Sequence, residues 1–302
     1  MSTIKNVAIV GASGSLGAPV FEKLVASGKF NVTVIRRHGS KSTYPAGTAV
    51  VDVDFDDAAA LTEALKGQDA VVSTVASLAT DQQPKLIDAA VAAGVKRFLP
   101  SDFGSDLSNP KTRKLPVFGH KVATQEHLIK AAAEGPITYT FVQNSAFLDW
   151  GLERDFILRV SEGTQPILYD GGDGVFSATT LATVGDAVVG VLDRPDETRN
   201  RTVFVEDAKL TQNQLLRLAK EVAPERDWTP EHVKIDDLTT KSDRELAEGN
   251  IGPTTFVNYL FRAVLDPEYG GNFRETDNEL LGLKGKTEED VKAILAKILK
   301  KQ

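Results

Sequence analysis

The chain has no cysteine, which excludes disulfides, redox thiols and thiolate metal sites. Histidine is scarce, and His38, His120, His127 and His232 show no metal-ligand spacing, so no metal site is expected. No long Lys/Arg run occurs and the net charge is −7, which argues against a nucleic-acid footprint. No apolar run is long enough for a membrane helix, and the apolar stretch after Lys5 is only strand length. A cytoplasmic protein without membrane or nucleic-acid partners is expected. The 302 residues, 41% hydrophobic and 25% charged, have the size and balance of one large domain or two closely joined ones.

What is present begins with an alternation of strands and helices. Val7 to Val10 reads as a buried strand broken at Gly11, after which Leu16, Val20, Leu24 and Val25 mark one helical face until Gly28 stops it. Strands are expected in NVTVIRR, GTAVVDVDF, DAVVSTVA, VKRFLPS and ITYTFVQNS, with helices over Asp57 to Leu65, in PKLIDAAVAAG and in HKVATQEHLIKAAAEG. This rhythm predicts an α/β fold: a Rossmann-type, doubly wound parallel sheet covered on both faces. Beyond Trp150 the rhythm changes, with turn-rich strands in LYDGGDGVFSAT, a short helix in VGDAVVGVL and a strand in RTVFVE. Thr211 with Gln214, and Thr287 with Asp290, place capping boxes before two further helices. The division expected is a nucleotide-binding domain over 1–150 and a smaller C-terminal α/β portion over 151–302, closing over the sheet's carboxyl edge. That boundary is soft and allows interleaving.

Two stretches carry the chemistry. GASGSLG sets Gly11, Gly14 and Gly17 between the first strand and the first helix, with Ser13, Ser15 and Leu16 completing the loop. One glycine turns the chain, another lets backbone N–H groups approach a pyrophosphate, and the third lets helix and strand pack. The other reading of this loop is a tight turn with no ligand. At the end of the second strand, VIRRHGSK supplies Arg36, Arg37 and Lys41 where an NAD site wants an acid. A guanidinium fork there pairs with a 2′-phosphate, so NADP(H) is expected, with Arg36 as main ligand and Arg37 stacking or assisting. The competing reading is a solvated basic turn.

Lys121 stands at the mouth of the helix in HKVATQEHLIKAAAEG, and no tyrosine precedes a lysine by four residues anywhere in the chain. From position alone an exposed surface lysine is the commoner case. Asn144 and Phe147 follow the sixth strand and are candidate nicotinamide or substrate contacts, or else a strand-end turn and a core ring. Phe103, with Phe118 and Trp150, could line an aromatic pocket or belong to the core. Ser101 and Asp102 read as loop caps or as substrate contacts, capping being the commoner case, and His120 as a residue that packs or hydrogen-bonds at the helix start.

VGASGSLG, FLPSDFG, HKVATQEHLIKAAAEGPITYTFVQNSAFLDW and RNRTVFVEDAKLTQNQLLRLAKE, taken in order, resemble the isoflavone reductase-like, NmrA-like branch of the atypical short-chain dehydrogenases. NSAFLDW and GNFRETDNELLGL look like its fungal members. The resemblance spans nearly the whole chain. It implies an NADPH-dependent reductase acting on a small, aromatic or phenolic conjugated substrate. It also implies that Lys121, which falls on the family's catalytic lysine, is the general acid/base without a tyrosine partner. The family includes non-catalytic NADP-sensing regulators that bind partner proteins, and these usually lack the lysine.

Overall fold

The computed structural model describes residues 3–76 and 82–300. The first half runs as the alternation predicts. β1 (Asn6–Val10) leads into α1 (Gly17–Ala26), β2 (Asn31–Arg37) and β3 (Ala49–Val53). Then come α2 (Ala58–Leu65), β4 (Ala70–Ser73), α3 (Gln83–Ala92) and β5 (Arg97–Leu99). The short α4 (Pro110–Arg113), the long α5 (Gly119–Glu134) and β6 (Thr138–Gln143) complete it. Asp57 proves to be the cap of α2, its carboxylate accepting the Ala59 and Ala60 N–H groups, and the helix itself starts at Ala58.

After β6 follow β7 (Ala146–Phe147), α6 (Leu148–Glu153), β8 (Ile167–Tyr169), β9 (Phe176–Thr179) and α7 (Leu181–Asp193). β10 (Arg201–Phe204), β11 (Ala208–Leu210), α8 (Gln212–Val222), β12 (Glu231–Val233) and α9 (Ile235–Ala247) come next. The chain ends in α10 (Val257–Leu265), α11 (Asn278–Leu281) and α12 (Glu288–Leu299). Both capping boxes form, Thr211–Gln214 on α8 and Thr287–Asp290 on α12.

Among the described residues the main sheet orders its seven strands β10-β6-β5-β4-β1-β2-β3, every pairing parallel. The order reverses between β1 and β4, so their carboxyl ends flank the crevice where doubly wound sheets bind ligands. Alternation along each strand feeds two cores. Val7 and Ile9 face α1 and α7 with Val20, Leu24, Val184 and Val188. Ala8 and Val10 face α2, α3 and α5 with Leu61, Leu86 and Leu128. Val25, expected on the buried stripe of α1, is 50% exposed, and Phe21 is buried in its place.

The division at residue 150 is crossed in the structure. β10 pairs with β6 in parallel register, Phe204 opposite Gln143. α7, at thirteen residues longer than expected, covers the sheet face beside α1. The reason is physical: β6 would otherwise be a bare edge over an apolar face. The remaining late elements build a separate core from Leu152, Leu168, Phe176, Leu215, Val291 and Leu295, around a three-stranded sheet β11-β9-β7 and the pair β12-β8.

Candidate active site

The glycine loop leaves β1 at the reversal of strand order. Gly11 has φ +85°, and a Cβ there would lie 2.7 Å from the Thr74 carbonyl oxygen on the adjacent strand end. A Cβ on Gly17 would lie 1.9 Å from the Gly11 carbonyl oxygen, so α1 can start this close to β1 only without a side chain. Gly14 closes the turn by donating to the Gly11 carbonyl at 3.0 Å. Ser13, Gly14 and Ser15 are exposed. The amino end of α1 has no side-chain cap and no acid in its first turn. Its N–H groups and positive dipole end therefore stay available to an anion. This cradle fits a dinucleotide pyrophosphate.

Arg36, at the end of β2, meets a partner that the linear sequence did not suggest. Parallel register sets Asp52 of β3 directly opposite, and its carboxylate takes both edges of the fork, from Arg36 Nε at 2.5 Å and Nη2 at 3.1 Å. Arg36 Nη1 donates to the Ser42 carbonyl, fastening the following loop. VIRRHGSK itself holds no acid, and the carboxylate reaches Arg36 from the neighbouring strand. The guanidinium beside it holds the Asp52 carboxyl below the usual carboxylate range. Arg37, the last residue of β2, and Lys41, on the loop after it, are exposed.

On the other side of the reversal lies Lys121, in the first turn of α5. Arg36 stands near the end of β2, three places in the strand order from β5, whose following loop holds Lys121. Three strand spacings are ~14 Å, the kind of span a dinucleotide bridges. The Lys121 ammonium donates to the Phe103 carbonyl at 2.6 Å. A Cβ on Gly104, whose φ is +129°, would stand 3.6 Å from Nζ. The Gly104 carbonyl in turn accepts from the Asn144 and Ser145 N–H groups, at 3.1 and 2.8 Å, tying this loop to the end of β6. Burial pushes the Lys121 ammonium below the usual lysine range, and the negative charge of Asp102 pushes it back up.

The remaining candidates divide. The Phe103 ring is 5% exposed in the core with Val142 and Leu99, so this residue offers the site its carbonyl and not an aromatic wall. Phe118 is core as well. Asn144 is fully buried, with its Oδ1 accepting no hydrogen bond among the described residues. Phe147 is half-buried and meets Trp150 edge to face at 6.5 Å. His120 is exposed, so the expectation that it packs at the helix start is not met. Ser101 donates to the Val75 carbonyl at 2.8 Å. Asp102 does not cap the loop: its carboxylate is 2% exposed and accepts from Gln125 of α5 at 2.7 Å and Gln143 of β6 at 2.5 Å. Those amides come from two distant elements, so nothing local in SDFG could have announced them.

The chain is similar to known proteins over most of its length. Oxidoreductase aprR of Aspergillus flavus is 34% identical over 305 residues, 99% of each chain. Oxidoreductase poxI of Penicillium oxalicum is 34% identical, covering 95% of this chain and 92% of its own. The solved complex of leucoanthocyanidin reductase with NADPH, from Vitis vinifera, shares the fold with a TM-score of 0.78 at 20% identity, over 96% of this chain and 99% of that one. The family description "NmrA-like family" matches residues 3–240. With most of its length matched and its full span aligned to fungal oxidoreductases, the chain belongs to the NmrA-like family, among its oxidoreductase members.

Proposed function

We propose that the protein is an NADPH-dependent reductase of a small, aromatic or phenolic conjugated substrate, with Lys121 as its general acid/base. The observation that carries this reading is the half-buried lysine whose ammonium is held by the Phe103 carbonyl at the carboxyl edge of the sheet, across from the glycine cradle. NADPH, when bound, supplies the hydride. Gly11, Gly14 and Gly17 with Ser13, Ser15 and Leu16 hold the pyrophosphate by backbone N–H groups. Arg36, assisted by Arg37 and Lys41, takes the 2′-phosphate. Among the described residues the Lys121 ammonium donates to one protein acceptor, the Phe103 carbonyl, and it passes a proton to a substrate oxygen as charge builds there. Asn144 and Phe147 would contact the nicotinamide or the substrate. The oxidoreductase names of the fungal relatives, and the NADPH and leucoanthocyanidin of the structural neighbour's description, support the cofactor and the substrate class.

The screen that tests this follows NADPH oxidation with phenolic enones, quinone-like compounds and phenylpropanoid esters, before and after chelator treatment. Turnover that survives the chelator is expected. Tight NADPH binding without oxidation in the presence of any of these classes would favour an NADP sensor instead.

Nucleotide choice is testable separately. NADPH should bind at least tenfold more tightly than NADH, and Arg36→Ala should erase most of that preference with little change for NADH. Asp52 occupies the fork that the phosphate needs and would repel it. Asp52→Asn should therefore tighten NADPH by about two- to fivefold, the scale of an exposed ion pair. Calorimetric titration of both nucleotides reads both effects, and equal affinities in the wild type would remove the arginine argument.

A further inference from the structure

Asp102 presents a problem that the fold alone does not solve. A carboxylate at 2% exposure is costly unless its charge is answered. Its two amide donors, Gln125 Nε2 and Gln143 Nε2, are buried and neutral, and a neutral side-chain amide oxygen could accept from either. The cations whose charge reaches it are Lys121 and Arg113. Arg113 already binds Glu126 at 2.9 Å and the Gln125 Oε1 at 2.7 Å, so its charge is answered elsewhere. Gln143 is the titration-silent neighbour from β6, and Gln125 sits one turn beyond Lys121 on α5. That leaves Lys121, held by the carbonyl of the very next residue, Phe103.

We propose that Asp102 is a positioning residue for Lys121: a carboxylate locked by two buried amides, serving as the internal counter-ion that keeps the reactive ammonium charged and in place. The inference rests on the reading of Lys121 as the acid–base group. The arrangement acts in two ways. Asp102 fixes the loop whose Phe103 carbonyl aims the ammonium. Its charge also opposes the loss of the lysine proton that burial favours. Burial raises the Asp102 carboxyl to about 6, against the pull of Lys121, the two amides and Arg113. Above that value the carboxylate is charged and supports Lys121. If Lys121 donates the proton, activity falls as pH rises through the lysine's own midpoint. Removing the Asp102 charge lowers that midpoint, so the fall comes at lower pH.

The test needs no substrate. Full-length protein labelled with [13Cε]lysine is titrated by NMR from neutral to alkaline pH, and down through the Asp102 range, with the Lys121 signal assigned from Lys121→Met. The Lys121 midpoint is expected to drop by about one pH unit or more in Asp102→Asn, the usual scale for loss of an opposing charge. Asp102→Glu, which keeps the charge, should stay near the wild type. An unchanged midpoint in a folded Asp102→Asn would overturn the proposal, because a purely structural carboxyl would not move it. Should that variant fail to fold, the wild-type curve decides. A second, smaller inflection of the Lys121 signal near the Asp102 midpoint supports the pairing, and its absence overturns it. Full NADPH turnover by Lys121→Ala would instead sink the acid–base reading, whatever the titration shows of Asp102.

Discussion

Lys121→Ala is expected to lower kcat/KM by roughly 10²–10⁴, the range for removal of a general acid/base, while NADPH affinity stays nearly unchanged. The split follows from position. The phosphates are assigned to the glycine cradle and to Arg36, on the far side of the strand-order reversal, whereas the lysine stands at the ends of β5 and β6. Lys121→Arg should not rescue, for two reasons. A guanidinium stays protonated throughout the working pH range and cannot cycle a proton. It is also larger, and the lysine head is hemmed by the Phe103 carbonyl at 2.6 Å and by the Gly104 backbone. Steady-state rates and an NADPH titration on the same preparations check this. Equal kcat/KM in wild type and Lys121→Ala would end the catalytic assignment.

Gly17→Ala should be the most damaging single-methyl change in the chain's cofactor half. Its Cβ would be placed 1.9 Å from the Gly11 carbonyl oxygen and 2.7 Å from the Gly11 carbonyl carbon, both backbone atoms that cannot swing aside. Either α1 retreats from β1 or the loop opens, and both dismantle the cradle. Overpacking of this kind costs about 1–3 kcal/mol, and more where backbone must move. A loss of more than ~100-fold in NADPH affinity, about 2.7 kcal/mol, is expected together with a lowered unfolding temperature. Gly14→Ala makes a useful contrast, since its Cβ would meet nothing closer than 3.4 Å. It should fold nearly as well as the wild type. Thermal unfolding with and without NADPH separates the two variants, and an unaffected Kd in Gly17→Ala would refute the close-approach argument.

Much of this was legible in the residues because it is local. The strand–turn–helix of Val7 to Gly28, the helices after Asp57 and before Gly94, and both capping boxes depend on neighbours within a few positions. What stayed hidden depends on register between distant segments. Asp52 reaches Arg36 only because β2 and β3 pair in parallel at that step. Asp102 looked like a loop cap until α5 and β6 brought Gln125 and Gln143 to it. RTVFVE reads as a strand of the smaller portion, and the free edge of β6 assigns it instead to the main sheet. Phe103 reads as a pocket ring or a core ring; the ring is core, and its carbonyl is what meets Lys121.

The late arrival of β10 has a consequence for biosynthesis. β6 is complete at Gln143, yet its sheet partner, ending at Phe204, leaves the ribosome roughly 60 residues later. At ~5–20 residues per second, the nascent nucleotide-binding sheet waits ~3–12 s with an unpaired edge beside an uncovered apolar face. A fragment ending near residue 150 would keep that edge permanently and should precipitate or pair with copies of itself. The protein therefore cannot be cut cleanly after β6, because the chain returns to finish the main sheet after it has begun the smaller core.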